Sequence, residues 1–369
     1  VWHSGGDLEV RRLKVGLPQY ALPIMAKDIH VTQGQREIKV ESCDVKVGQS
    51  SISMSGSVHN LYHSLKTGSS LHATLNVQSD TLNFNELLSA IVEDKQEESS
   101  VMSTLNDSTM VVERMENEIA TDSMPTRIFS IPKMLEFKIG AQANHVVWSK
   151  LNFGKVRGHV QLTNGAIHLT DLFFKQGDSR AITIMSYKAN EEKNNANINC
   201  FVRWEKADIG EIVNAINIDS LMPMLKPLEG KVDCYFAAQM EMDSTLSVDL
   251  KKLKASMHIG AKRLTLFDTE TFAKISKVLM FKNKKVNYID TLSFNVLVDT
   301  GYIKILPFVA NMDRYKAVVG GEQDVDMKAL NYHVSILKSP LPFKAGVNIL
   351  GTPDDIDIDI TTAKLKKHA

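Results

Sequence analysis

Lys231-Val232-Asp233-Cys234-Tyr235-Phe236-Ala237-Ala238-Gln239-Met240-Glu241-Met242-Asp243 is the stretch that decides the fold. Val232, Cys234, Phe236, Ala238, Met240 and Met242 fall on every second position, and the intervening positions carry most of the polar groups. Successive side chains of a strand point to opposite faces, so this is a strand with one apolar side and one wet side. The rhythm recurs elsewhere. Ile52, Met54, Gly56 and Val58 alternate with serines, and Ile356, Ile358 and Ile360 alternate with aspartates. The expected class is mainly β: an elongated, twisted antiparallel sheet, or sheets, curled into a groove or open sandwich with a few short α-helices.

Turn chemistry punctuates the strands. Asn164-Gly165 sits between two alternating runs and predicts a tight hairpin. Val319-Gly320-Gly321-Glu322 predicts a turn or bulge, and Thr352-Pro353-Asp354-Asp355 a further break. Three helices are expected. Asn83 and Asp208 each precede a Glu by three residues and resemble capping boxes for Glu86–Ile91 and Glu211–Ile216. Asp268 precedes Phe272–Met280, where Phe272, Ile275, Val278 and Leu279 form one helical face. The segments Asn83–Ile91 and Asp208–Ile216 repeat each other in polarity. A second repeat aligns Val156–Leu162 and Ile167–Asp171 with Leu253–Ile259 and Leu264–Asp268. Such repeats suggest a sheet that grows by adding copies.

The chain has 369 residues and balanced charge, with 43 basic and 43 acidic side chains, so no net field draws nucleic acid. Cys43, Cys200 and Cys234 lack CxxC spacing, which gives neither a disulfide framework nor a zinc site, and Cys200 and Cys234 read as small buried hydrophobes. From Glu93 to Asp122 there are nine acids and two bases. That stretch reads as an insertion and gives three parts: 1–92, a β segment ending in a short helix; 93–130, the acidic insertion; and 131–369, a β-groove domain. Within the insertion Val111, Val112, Met115 and Ile119 could line a weak amphipathic helix. The opening at Val1 reads as a fragment, with any anchor or targeting signal upstream.

Chemical motifs are sparse. His59 and His63 have the spacing of two ligands on one helix face, but Gly56, Ser57 and Asn60 around them predict a strand end and a loop. Ser335-Ile336-Leu337-Lys338 and Lys66-Thr67-Gly68 match fragments of penicillin-recognising enzymes in the wrong order, and Ser335 lies on an alternating strand. Asp355, Asp357 and Asp359 alternate with isoleucine, which puts them on a wet face and not in a cation loop. No metal, cofactor or catalytic residue is expected. Lys274, Lys277, Lys282, Lys284 and Lys285 form an acid-free run. It suits the C-terminal end of a helix, or contact with acidic lipid headgroups through Lys277, Lys282, Lys284 and Lys285. The apolar stripes either meet a second sheet and close, or line a trough for acyl chains. In a trough the candidate lining is Val160, Leu162, Ile167, Leu169, Val232, Phe236, Met240 and Met242.

Five stretches carry a family resemblance: Pro227-Leu228-Glu229-Gly230-Lys231-Val232, Leu253–Ile259 with Leu264-Thr265-Leu266, Leu306–Tyr315, Lys338–Val347, and Gly351-Thr352-Pro353-Asp354-Asp355. Together they resemble the C-terminal region of AsmA-like proteins of Gram-negative bacteria, of the Bacteroidetes type. Upstream, 29–216 follows the same strand-helix grammar, so the likeness covers about two thirds of the chain. These are packing and turn motifs, and they imply architecture more than chemistry. The resemblance implies a periplasmic β domain tethered to the inner membrane and linked to outer-membrane biogenesis. It also implies kinship with TamB-like and chorein-like proteins, whose β grooves conduct phospholipid. The partners it implies are phospholipid or another envelope lipid, the inner membrane through an anchor, and envelope proteins. The alternative is a non-catalytic scaffold built as a closed sandwich.

Overall fold

A computed structural model describes residues 5–17, 20–34, 37–90, 128–148, 150–215, 228–244, 247–267, 286–312, 315–326, 328–338, 345–352 and 355–364. The strands are β1 (Gly6–Leu17), β2 (Tyr20–Gln33), β3 (Glu37–Val47), β4 (Ser50–His59), β5 (Leu71–Asn83), β6 (Leu135–Trp148), β7 (Leu151–Thr163), β8 (Ala166–Gln176), β9 (Ser179–Asn190) and β10 (Asn195–Asp208). They continue with β11 (Leu228–Glu229), β12 (Lys231–Asp243), β13 (Lys254–Phe267), β14 (Val286–Asp299), β15 (Tyr302–Met312), β16 (Tyr315–Asp324), β17 (Leu330–Lys338), β18 (Gly346–Gly351) and β19 (Ile356–Thr361). Helix α1 (Leu61–Thr67) follows β4, α2 (Phe84–Ser89) follows β5, and α3 (Ile209–Ala215) follows β10.

All nineteen strands belong to one open sheet. Each strand pairs antiparallel with the next in sequence, and the short β11 acts as an extension of β12 against β13. The one exception is β5, which lies parallel to β6, with Leu75 opposite Ile139. A parallel step needs a crossover connection, and the acidic insertion occupies that position in the sequence. Residues 91–127 lie outside the described set, as do the expected helices at 111–119 and 272–280. The strands on either side of the insertion share one ladder, so 1–92 and 131–369 form a single sheet.

The Asn164-Gly165 hairpin forms as its sequence predicts. Both residues have positive φ, at 50° and 72°, and Thr163 pairs with Ala166. This turn marks the upper margin of the sheet, and α2 and α3 sit on the lower margin. Both caps are present: the Asn83 side chain accepts from Glu86 N–H, and Asp208 accepts from the N–H groups of Gly210 and Glu211. Gly320 and Gly321 lie inside β16, beside a register shift in β15 near Pro307, so this pair marks a bulge and not a turn. A Cβ on Gly321 would fall 2.4 Å from the Asn331 carbonyl oxygen, which explains the glycine. The second sequence repeat is only half structural. Val156–Leu162 and Leu253–Ile259 both lie on or at the start of strands, but Ile167 starts a new strand, whereas Leu264 continues β13 past a bulge.

Those bulges shape the sheet. Asp28, Lys155, Asp171, Lys206 and Arg263 each adopt positive φ inside a strand, and register shifts recur from β2 to β16. An extra residue bends its strand and increases the local twist. The deepest packing lies on one face near the lower margin. Phe153, Phe174 and Trp204 stack there with centroids 4.4 to 6.4 Å apart, and the Trp204 indole N–H donates to Ser179 Oγ at 2.6 Å. Ile209 and Val213 of α3 join the same cluster.

Trp204→Ala should destabilise the protein by about 3–5 kcal/mol, because it leaves a cavity and strands Ser179; a urea-unfolding midpoint checks this. Burial also pushes the Cys234 thiol up from 9.0 to about 11 and the Tyr187 hydroxyl from 10.0 to about 12. Both groups are neutral in the fold and ionise first in the unfolded chain. Their contribution is therefore complete below pH 9 and is lost as pH rises toward 11 to 12. Cys234→Ala should flatten the part of that loss between pH 9 and 11 in unfolding curves.

Candidate functional site

Pairing register defines which side chains share a face. Val160 lies opposite Leu169, Leu169 opposite Met185, Met185 opposite Cys200, and Cys200 opposite Ala238. A second row runs Leu162, Ile167, Tyr187, Ile198, Met240. Met242 lies opposite Ala196, Phe236 opposite Val202, and Val232 opposite Ala207. All eight candidate lining residues therefore point to one side of the sheet, called here the inner face. Val232 is buried and the other seven are half-buried. Phe236 also packs against the main core.

The same face continues in both directions. Toward β1 it carries Gly56, Val40, Val31 and Leu8 in one row, Met54 with Cys43 in another, and Val58 with Ile38 in a third. Toward β19 it carries Val334, Val347 and Ile360. What changes along it is cover. From β6 to β18 the face supplies large buried side chains, including Phe294, Val296, Ile305, Tyr332 and Val347. From β1 to β5 the buried inner-face residues are Ala26, Val47, Ser50, Ala73 and Ser79, all small or medium-sized. Leu8 is 58% exposed and Leu13 44%, with Val10, Ile24, Ile52, Met54 and Val58 half-buried. No Asp, Glu, Lys or Arg occupies a paired inward position of β1 to β5.

Sequence reasoning chose its lining from β7, β8 and β12 and so missed the barest part of the surface. The signal was present in the Ile52-Met54-Gly56-Val58 alternation. Alternation alone, however, does not reveal whether anything packs on top.

A cleft of about 660 Å³ near the lower ends of β6 to β8 is lined by Lys155, Lys175, His145 and Asp80. His145, Gly154 and Lys175 pair in one row, one position out of phase with the inward Val146, Phe153 and Phe174, so this polar lining belongs to the outer face. At the upper margin Ile128 and Ile131 are buried, and the Tyr187 hydroxyl donates to the Phe129 carbonyl at 2.6 Å. The outer face is not uniformly wet. Ile182, Ile184 and Phe201 are exposed on it, with Arg157 over the Phe173 ring at 5.0 Å and Arg203 over Tyr235 at 5.5 Å.

The remaining motifs are placed as follows. His59 ends β4, with Nε2 3.8 Å from Glu37, whereas His63 lies in α1, so the two do not share a helix face. Asp357 and Asp359 alternate with the inward isoleucines of β19. Among the described residues no three His, Cys, Asp or Glu side chains are grouped to hold a metal ion. Ser335 has 0% exposure; its Oγ lies 3.0 Å from His333 Nε2, and His333 Nδ1 lies 2.7 Å from Asn348 Oδ1. A hydroxyl with no surface gives a substrate no access, and Lys66 is far along the chain at the end of α1. Lys277, Lys282, Lys284 and Lys285 lie outside the described residues. Among the described residues no helix is long and apolar enough to cross a membrane.

Comparison with protein-family models, with curated proteins and with solved structures gives no match in any of the three.

A charge should be tolerated on the bare part of the inner face and not on the filled part. Met54→Asp should change stability by less than about 1 kcal/mol, whereas Phe294→Asp should abolish folding by burying an unpaired carboxylate. Circular dichroism and urea titration of the two variants separate these outcomes.

Proposed function

We propose that this protein holds lipid by its acyl chains along the inner face of the sheet. The observation that carries the reading is the contrast in cover: around β14 to β17 the apolar face holds large, buried side chains such as Phe294, Val296, Ile305 and Tyr332, whereas among the described residues of β1 to β5 its Leu, Ile and Met side chains are half-buried or exposed. A partly exposed, contiguous, uncharged surface of Val, Ile, Leu and Met supports binding of apolar material. Each methylene laid on it gains about 0.8 kcal/mol. The headgroup stays in water at the rim of the face, because burying an unpaired charge would cost several times as much. Neighbouring strands offer similar contacts, so a chain can slide along the face with little change in energy.

The residues that resemble AsmA-like proteins support a periplasmic setting beside the inner membrane and a part in outer-membrane biogenesis. The role proposed is binding, with no chemical step. Val160, Leu162, Ile167, Leu169, Phe236, Met240 and Met242 continue the lining beyond β5, with Val232 beneath them.

Purified protein examined by native mass spectrometry should carry phospholipid, or take it up from phosphatidylglycerol and phosphatidylethanolamine vesicles. Met54→Asp should reduce uptake at least fivefold with the fold intact. A lipid-free mass with no uptake would favour the scaffold alternative.

A further inference from the structure

We infer that residues 362–364, which follow β19, form a strap latched on the outer face of β17 and β18 by neutral His333, and that a proton on His333 releases it whether or not lipid is bound.

Register puts the latch on the outer face. Val334 and Val347 pair with each other and point inward, so their neighbours His333, Ser335, Gly346 and Asn348 point outward. Strand β19 pairs with β18 as far as Thr361, opposite Gly346. Thr362 then turns across the outer side of Gly346. A Cβ on Gly346 would fall 2.3 Å from the Thr362 carbonyl oxygen and 2.9 Å from His333 Cε1, so the missing side chain is the slot that admits both. Further along the strap the Lys364 N–H donates to His333 Nε2 at 3.3 Å. Beneath it Ser335 has 0% exposure.

These contacts fix the ring proton. A backbone N–H can only donate, so the Nε2 that faces Lys364 carries a lone pair. The proton of the neutral ring therefore sits on Nδ1, which donates to Asn348 Oδ1 at 2.7 Å. The Ser335 hydroxyl, with Oγ 3.0 Å from Nε2, donates to the same lone pair as Lys364. A second proton has one place to go, which is Nε2. The Ser335 hydroxyl can rotate to accept from it, but the Lys364 N–H cannot. The charged ring keeps Ser335 and Asn348 and loses the strap.

The register also gives the charges around the latch among the described residues. On β16, Gly320 and Val318 lie opposite His333 and Ser335, and Glu322 lies opposite Asn331, the preceding outward residue of β17. On β18, Gly346 and Asn348 are neutral, and on β19 Asp359 lies opposite Asn348. Both carboxylates are exposed to water. The remaining charge is the Lys364 ammonium on the strap itself, so a cationic ring and the strap repel each other.

The test is hydrogen–deuterium exchange of the full chain at pH 8 and pH 5, read residue by residue and corrected for intrinsic exchange. The Lys364 amide should be protected at pH 8 and lose about fivefold of that protection at pH 5, which is the worth of one hydrogen bond. The Asp357 amide, paired with Leu350 in the adjoining ladder, should change little. His333→Gln should remove the difference between the two pH values. Gly346→Ala should expose the Lys364 amide at both, with Asp357 still protected. Equal protection of Lys364 at pH 8 and pH 5 in the unaltered chain, or a pH dependence that survives in His333→Gln, would overturn the latch.

Discussion

Side chains leave a pleated strand on alternate sides, so a sheet whose strands keep the same alternation in register owns one apolar face however wide it grows. Everything else here depends on that constraint. Hairpins and β-bulges keep the alternation in phase across the strands: where Arg263 inserts a bulge in β13, β14 shifts at the matching place, so Ala261 still meets Leu292 and Leu264 still meets Ile289. The parallel step from β5 to β6 preserves it too, pairing Val77 with Ala141 and Leu82 with Val146. The face is continuous because no junction breaks the phase.

A single sheet cannot bury such a face by itself. Among the described residues three short helices provide only local cover. Helix α3 contributes Ile209 and Val213 to the core, whereas α1 leaves Tyr62 and Leu65 exposed and α2 leaves Phe84 and Leu88 exposed. Helix α2 ties the lower margin through polar contacts, with Glu86 accepting from Gln49 N–H and Tyr20 donating to the Leu87 carbonyl. Stability is consequently uneven along the molecule. The aromatic cluster and the layers of β12 to β17 hold the large buried residues, and the first five strands stand on backbone pairing with little apolar burial. An apolar guest there would supply the missing contacts, which links binding to the order of that region.

Much of the face was legible in the sequence. The run from Val232 to Met242 gave both its class and its orientation. The candidates drawn from β7 and β8 share its face because the Asn164-Gly165 turn fixes their register. The two capped helices formed where Asn83 and Asp208 predicted. Other features lacked a signal. Lys155, Lys206 and Arg263 adopt left-handed backbone without glycine, so nothing in their identity announces a bulge. Helix α1 begins after Asn60, itself at φ 61°, in a stretch that reads as loop. Cover was not legible at all, since Val58 and Val296 sit in equally regular alternation and only three-dimensional packing makes one half-bare and the other buried.

Two methionines on either side of β3 give the most direct check. Met54 points inward on β4, and Met25 points outward on β2 between Lys14 and Lys46. Peroxide oxidation of each, followed by mass spectrometry with and without lipid vesicles, reads the two faces in one unmodified protein. The account predicts that lipid slows oxidation of Met54 severalfold and leaves Met25 unchanged. Equal protection of both, or of neither, would contradict it.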